Sequence, residues 1–210
     1  MKRFLIVPII AVLLAGGASA AEIGFGAKGG FNMANLHGSD AENMDWKTGF
    51  AGGAFLNVSF TPIISLQPEL LYVMDGASED LMGFELNFNL DYVQIPVLVK
   101  FDLPVKGTIV PAFYAGPYVS FLTGADWEVS YGDASESMDV KDYTKTTDFG
   151  LLFGAEIDVH LSAVTLTFEG RYNYGTVTVD DGWANAFEEP ERGELSIKNH
   201  SIMFLAGVAF

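Results

Sequence analysis

The chain predicts an all-β protein, an eight-stranded antiparallel up-and-down transmembrane β-barrel behind a cleaved N-terminal signal peptide. Three observations carry this expectation. Half of the 210 residues are hydrophobic and 13 % are aromatic, yet no stretch has the ~18 consecutive apolar residues of a spanning helix. Eight segments instead alternate apolar and polar side chains with a period of two, the pattern of a strand with one apolar face. The last of them carries Ile202, Phe204, Ala206, Val208 and Phe210 at alternate positions and stops on the aromatic. On a soluble protein such a strand would be an aggregation-prone edge, whereas closure of a barrel against lipid removes the hazard.

The N-terminus agrees with this location. Met1-Lys2-Arg3 is basic, and the apolar run from Phe4 to Ala15 is too short to span a bilayer. Ala18-Ser19-Ala20 has the small-x-small pattern of a signal peptidase site, so cleavage is expected after Ala20. Residues 1–20 are then the signal peptide and residues 21–210 a single barrel domain. The composition narrows the function. Asp plus Glu number 27 against 11 Lys plus Arg, for a net charge of −16, which argues against nucleic acid as a partner. The absence of Cys excludes disulfides and thiolate metal sites.

Each segment is justified by its alternation. The first, Glu22 to Asn35, sets Ile23, Phe25, Ala27, Gly29, Phe31 and Met33 against Lys28 and Asn32. The second, Lys47 to Phe60, sets Phe50, Ala54, Leu56, Val58 and Phe60 outward and Asn57 and Ser59 inward. The third, Ile63 to Met74, opposes Leu66, Leu70 and Tyr72 to Gln67 and Glu69. The fourth runs from about Phe84 to Phe101, with Val93, Ile95, Val97, Val99 and Phe101 outward and Gln94 and Lys100 inward. The fifth, Ile109 to Leu122, opposes Phe113, Ala115, Val119 and Phe121 to Tyr114, Gly116, Tyr118 and Ser120. The sixth, Asp148 to Val159, opposes Phe149, Leu151, Phe153, Ala155, Ile157 and Val159 to Glu156 and Asp158. The seventh, Val164 to about Val179, opposes Val164, Leu166, Phe168 and Tyr172 to Thr165, Thr167, Glu169 and Arg171, and the eighth is Leu195 to Phe210. A soluble sandwich or lipocalin-like barrel also alternates. Aromatics on the aliphatic face, and Lys, Glu, Arg, Asn and Tyr on the other, argue against a soluble core.

The connections alternate in length. Thr61-Pro62, Leu103 to Gly107 and His160 to Ala163 are short, whereas Leu36 to Trp46, Asp75 to Gly83, Ala125 to Thr147 and Asp180 to Glu194 are long and acidic. Tight periplasmic turns and long outer loops are the outer-membrane pattern, and an even strand count leaves both termini periplasmic. The alternation changes phase in two places. Phe84, Leu86, Phe88 and Leu90 fall out of step with Val93 to Phe101, and Val177 and Val179 with Tyr172. A bulge or a strand extension above the lipid would account for either.

Several phrases resemble one family. Gly26-Ala-Lys-Gly-Gly-Phe-Asn-Met-Ala-Asn35 is similar to its first strand. Ser65-Leu-Gln-Pro-Glu-Leu-Leu-Tyr72 and Tyr92-Val-Gln-Ile-Pro-Val-Leu-Val-Lys100 resemble its third and fourth. Ala115-Gly-Pro-Tyr118 and Arg171-Tyr-Asn-Tyr-Gly175 resemble parts of its fifth and seventh. This is the PorT-like outer membrane protein β-barrel domain family of Bacteroidetes-type bacteria, and the resemblance covers the mature chain. It implies an eight-stranded outer-membrane barrel, no reaction and no cofactor. The namesake's part in protein secretion is not transferred. Phe204 and the terminal Phe210 resemble the assembly signal of such barrels, which implies the barrel-assembly machinery as a partner, with outer-membrane lipid and lipopolysaccharide around the belt.

Four sets of polar residues are candidates for function. Lys28, Glu69, Lys100, Glu156, Glu169 and Arg171 face inward, with Lys28, Glu69, Glu169 and Arg171 near mid-height. An eight-stranded barrel is just wide enough to be filled by side chains, so this set is expected to be a lumen network of ion pairs, with a narrow ion path as the alternative. His200-Ser201 raises a lipid-modifying enzyme, but adjacent strand residues point to opposite faces. Asp126, Glu128, Asp133, Glu136, Asp139 and Asp142, with Asp180, Asp181, Glu188, Glu189, Glu191 and Glu194, form acidic connections without EF-hand spacing, and no metal site is assigned to them. Trp46, Trp127 and Trp183 are expected at the outer interface. The function expected is a small, non-enzymatic outer-membrane barrel with a structural or surface-recognition role and an unidentified protein partner. The alternatives are a secretion accessory, a lipid-modifying enzyme and a narrow channel.

Overall fold

The computed structural model describes residues 22–38, 45–81, 84–131, 134–179 and 197–210. The signal peptide with its cleavage point after Ala20, Asp133, Trp183 and the acids from Asp180 to Glu194 lie outside the described residues. The strands are β1 (Glu22–His37), β2 (Lys47–Thr61), β3 (Ile64–Leu81), β4 (Phe84–Asp102), β5 (Ile109–Tyr131), β6 (Ala134–Asp139), β7 (Thr147–His160), β8 (Thr165–Thr178) and β9 (Lys198–Ala209). They pair antiparallel in the order β4-β3-β2-β1-β9-β8-β7-β5-β6, and a β4–β5 pairing closes the ring. The result is a closed eight-stranded barrel, with β6 folded back on β5 outside the ring.

Closure is completed by the last residue. The Phe25 N–H donates to the Phe210 carbonyl at 3.2 Å, the Phe210 N–H donates to the Phe25 carbonyl at 2.8 Å, and the two rings stack at 5.7 Å. The barrel therefore has no free edge along β1 and β9. The outer face carries exposed side chains that no soluble surface would present together: Phe31 69 %, Phe113 56 %, Leu151 57 % and Phe204 57 %. Val58 departs from the expected outward exposure. Its register places it on the outer face with its cross-strand partner Leu66, yet each is only 6 % exposed.

An aromatic cluster marks each end of the apolar belt. Phe25 and Phe210 lie at the short-turn end, and His37, Tyr172, Tyr174, His200 and Trp46 gather at the other. Along β1 from Phe25 to His37, at ~3.3 Å per residue and the usual tilt, the two clusters stand roughly 30 Å apart, close to the height of an outer-membrane apolar band.

Two of the connections expected to be long are strand instead. β3 and β4 keep one register from Ile64 opposite Phe101 to Leu81 opposite Phe84, so the segment expected as the Asp75 to Gly83 loop is the upper half of a hairpin. Likewise β5 runs on to Tyr131 and returns as β6 within the expected Ala125 to Thr147 loop. A strand of 23 residues far exceeds the ~9–11 that cross a bilayer, so β3, β4, β5 and β6 project beyond the belt as a four-stranded sheet.

The phase changes have a common cause. On β4, Phe88, Leu90, Tyr92, Gln94, Leu98 and Lys100 are all buried, so the strand alternates without a break. What reverses is the medium: beside lipid the apolar side chains point out, and above it they point in. β5 achieves the same reversal with a bulge. Tyr92 faces Leu122 but Asp91 faces Gly124, leaving Thr123 unpaired and turning Ala125 and Trp127 inward. A register shift also occurs on β8 between Tyr174 and Thr178, and Val179 beyond it is buried.

Candidate functional site

The lumen is stacked in layers. At mid-height, Lys28 of β1 binds Glu69 of β3 at 2.8 Å and Glu169 of β8 at 3.0 Å. Arg171, two residues after Glu169 and on the same face of β8, donates to Glu69 Oε2 at 2.7 Å and to Glu169 Oε1. These four side chains are at most 1 % exposed. Tyr114 donates its hydroxyl to Glu169 at 2.8 Å, and Gln67 donates its amide to Glu69 at 2.8 Å. The two cations also sit over rings, Lys28 at 4.7 Å from Phe55 and Arg171 at 5.5 Å from Tyr114. Two acids and two bases thus hold each other in charge balance, as a buried array must.

Lys100 forms a second group toward the short turns. It pairs with Glu156, with Asp158 at 2.5 Å and with Asp102 at 3.7 Å. The six lumen residues singled out in the sequence therefore divide into two sets, four at mid-height and Lys100 with Glu156 below. Ala51, Leu71, Val73, Met203 and Leu205 pack together as an apolar layer on β2, β3 and β9.

Above that layer the sequence reading missed a third polar group. Asp75, on the segment expected as a loop, accepts from the Asn32 amide at 2.7 Å. Asp148 accepts from the Asn199 amide at 3.4 Å, and the same amide reaches the Tyr92 hydroxyl at 3.3 Å. Asn173 donates to Ser201 at 3.3 Å. The missed signal was parity: Asp75 is two residues beyond the inward Val73 and six beyond Glu69, on the same face. Leu36, Ala77, Phe88, Leu90, Tyr92, Leu122, Ala125, Val140, Val179 and Ile197 then close the mouth as an apolar cap. Trp127 packs against this cap from the inner side of β5, which corrects the expectation that it anchors the interface.

The projecting sheet has a different outer face. Asp126 stands opposite both Asn89 on β4 and Asp139 on β6, and Glu128 stands opposite Asn87 and Ser137. Asp126 accepts from the Asn89 amide at 2.7 Å. Gly124, Asp126, Glu128, Ser135, Ser137 and Asp139 line a cleft of about 460 Å³. Among the described residues no three or more of His, Asp and Glu are grouped as metal ligands.

His200 and Ser201 do not form a dyad. Ser201 is 2 % exposed inside the barrel, whereas the Nδ1 of His200 lies 2.9 Å from the Nδ1 of His37 on the outside. Phe204, of the pair expected to signal assembly, is 57 % exposed on the outer face.

The profile of the outer membrane protein beta-barrel domain matches residues 17–176. The chain belongs to that family. Among solved structures, this family member is similar to a major outer membrane protein of Thermus thermophilus, with a TM-score of 0.56 and 13 % identity over 91 % of this chain and 98 % of that one. It is also similar to Neisserial surface protein A, with a TM-score of 0.50 and 14 % identity over 90 % of this chain and 97 % of that one. At such identities the likeness is one of fold, and it agrees with a barrel of the outer membrane. No curated protein sequence matches the chain.

Proposed function

We propose that this barrel is a non-enzymatic, non-conducting outer-membrane protein whose task is to hold the β3–β6 sheet above the lipid as a recognition surface. The long connections face outward, both termini face the periplasm, and the cell is of the Bacteroidetes type suggested by the PorT-like phrases. One observation carries the reading. Within the belt the lumen is filled by side chains around the Lys28–Arg171 array, an apolar cap lies over it, and beyond the belt four strands extend with an outer face of carboxylates, amides and hydroxyls. A strand extension of this length has no part in spanning the membrane, and its acidic face favours a basic partner.

The chain has no Cys, so single introduced thiols report topology cleanly. Ser137→Cys should react with a membrane-impermeant maleimide in intact cells, and Thr61→Cys only after lysis. Replacement of residues 124–146 by a short turn should leave a folded barrel that no longer crosslinks its surface partner. The purified protein should show no steady nanosiemens conductance in planar bilayers. A Ser137 thiol protected in intact cells would refute the orientation, and an open channel would refute the closed lumen.

A further inference from the structure

The charges buried in the lumen do not balance. Among the described residues, Lys28, Lys100 and Arg171 are the buried cations, against Glu69, Asp75, Asp148, Glu156, Asp158 and Glu169. The mid-height array is neutral within itself, and Lys100 serves the lower carboxylates. Asp75 and Asp148 are left over. They are 8 % and 4 % exposed on the inner faces of β3 and β7, the amides of Asn32 and Asn199 hold them in the one polar layer, and neither meets a described Lys, Arg or His in an ion pair. An ionised carboxylate so placed needs a counter-charge.

The neighbouring groups add a second, independent observation. Asp148 Oδ1, Asn32 Oδ1, Asn173 Oδ1, Asn199 Oδ1 and Gln94 Oε1 are all buried without a hydrogen-bond partner. These five orphans are oxygens, that is, acceptors, whereas the orphaned Nε of Arg171, two residues before Asn173 on β8, is a donor. Two of the amides are fixed in orientation by what they already bind. The nitrogen of Asn32 donates to the Met74 carbonyl and to Asp75, both at 2.7 Å, and that of Asn199 donates toward Asp148. Their oxygens therefore point away from those partners and stay buried and unmatched. Water can donate to such acceptors, but it brings no charge, and two buried carboxylates beside them call for a cation. The set has no imidazole or thiolate, which excludes the soft and borderline transition metals. Two charges to neutralise and several amide oxygens among the donors fit Ca²⁺, which takes 6–8 oxygens including amide carbonyls, better than Mg²⁺, which keeps several waters.

We propose that the space between Asp75 and Asp148, beneath the apolar cap, is a calcium site completed by the side-chain oxygens of Asn32, Asn173 and Asn199 and by water. The cap seals it from above, and the apolar layer with the Lys28–Arg171 array seals it from below. The ion is therefore slow to exchange, and it ties β1, β3, β7, β8 and β9 together across the lumen. This site is distinct from the acidic outer face of β5 and β6, and it does not depend on the recognition reading.

Elemental analysis of the barrel, extracted in mild detergent, shown to be folded by its heat-modifiable gel mobility and exchanged into buffer with a chelator, tests the proposal. About one Ca²⁺ per chain is expected. Asp126→Asn with Asp139→Asn on the outer hairpin should leave that content unchanged, and Asp75→Asn with Asp148→Asn should abolish it. Protein folded in vitro with Tb³⁺ should show emission sensitised by Tyr92 and Tyr118, lost in Asp148→Asn alone, which keeps the test open if the double variant fails to fold. A folded wild-type barrel with no calcium and no sensitised Tb³⁺ emission overturns the proposal, and so does calcium that follows Asp126 and Asp139.

Discussion

Arg171→Met is the sharpest test of how the lumen is held. The guanidinium is fully buried, donates to Glu69 at 2.7 and 3.3 Å and to Glu169, and lies against the Tyr114 ring. Met fills much of the same volume, so the loss is one of charge and hydrogen bonds. Lys28 remains, but one ammonium cannot satisfy two buried carboxylates. Breaking a buried pair from one side typically costs about 3–5 kcal/mol, because it strands the opposite charge. The same range follows from losing charged hydrogen bonds worth roughly 1.5–3 kcal/mol each, partly offset by the remaining lysine and by water. Urea unfolding in lipid vesicles, followed by tryptophan fluorescence and gel mobility, measures the cost. Adding Glu69→Gln to Arg171→Met restores neutrality around Lys28 and Glu169, so the double variant should be about 2 kcal/mol more stable than additivity predicts. A cost below about 1 kcal/mol for Arg171→Met, or no coupling to Glu69, would show that the array is loose and hydrated and refute the reasoning.

Other outcomes follow from the same geometry. Leu70 is 56 % exposed on the outer face beside buried Glu69, so Leu70→Arg should destabilise by about 2–4 kcal/mol near mid-membrane. Ser137→Arg on the projecting hairpin should stay within about 0.5 kcal/mol, and equal costs in urea titration would put the lipid boundary elsewhere. A Cβ at Gly154 would meet the Tyr114 hydroxyl and the Gly170 carbonyl, each at 2.6 Å, so Gly154→Val should cost roughly 1–3 kcal/mol, and an unchanged urea midpoint would mean that Tyr114 is not seated there. Phe210→Ala removes the ring stacked on Phe25 and should lower the yield of folded barrel in outer-membrane fractions, and an unchanged yield would argue against an assembly role.

Much of the fold was legible because one rule, period two against lipid, leaves little freedom. Phe25, Phe31, Leu70, Phe113, Phe153 and Phe204 could be placed outside, and Lys28, Glu69, Glu169 and Arg171 inside, from parity alone. The same rule misled at the upper ends of β3 to β5. Where lipid gives way to water, apolar side chains turn from the outer face to the inner one, and a continuing strand looks like a loop or a break in phase. Trp127 was expected at the outer interface because its part of β5 reads as a loop, and the β6 hairpin was hidden within an acidic stretch that reads as solvated chain.

The sequence by itself determined the class of fold, its closure and the face on which each mid-barrel residue lies, because those follow from local alternation and strand length. Only the tertiary structure decided which inward residues meet. Lys28 and Arg171 are 143 positions apart by number, and it is closure of the ring that brings both onto Glu69 and Glu169, while Asp75 and Asp148 receive no Lys or Arg from the described residues. Such pairings depend on register and on strand order around the barrel, which no local pattern encodes.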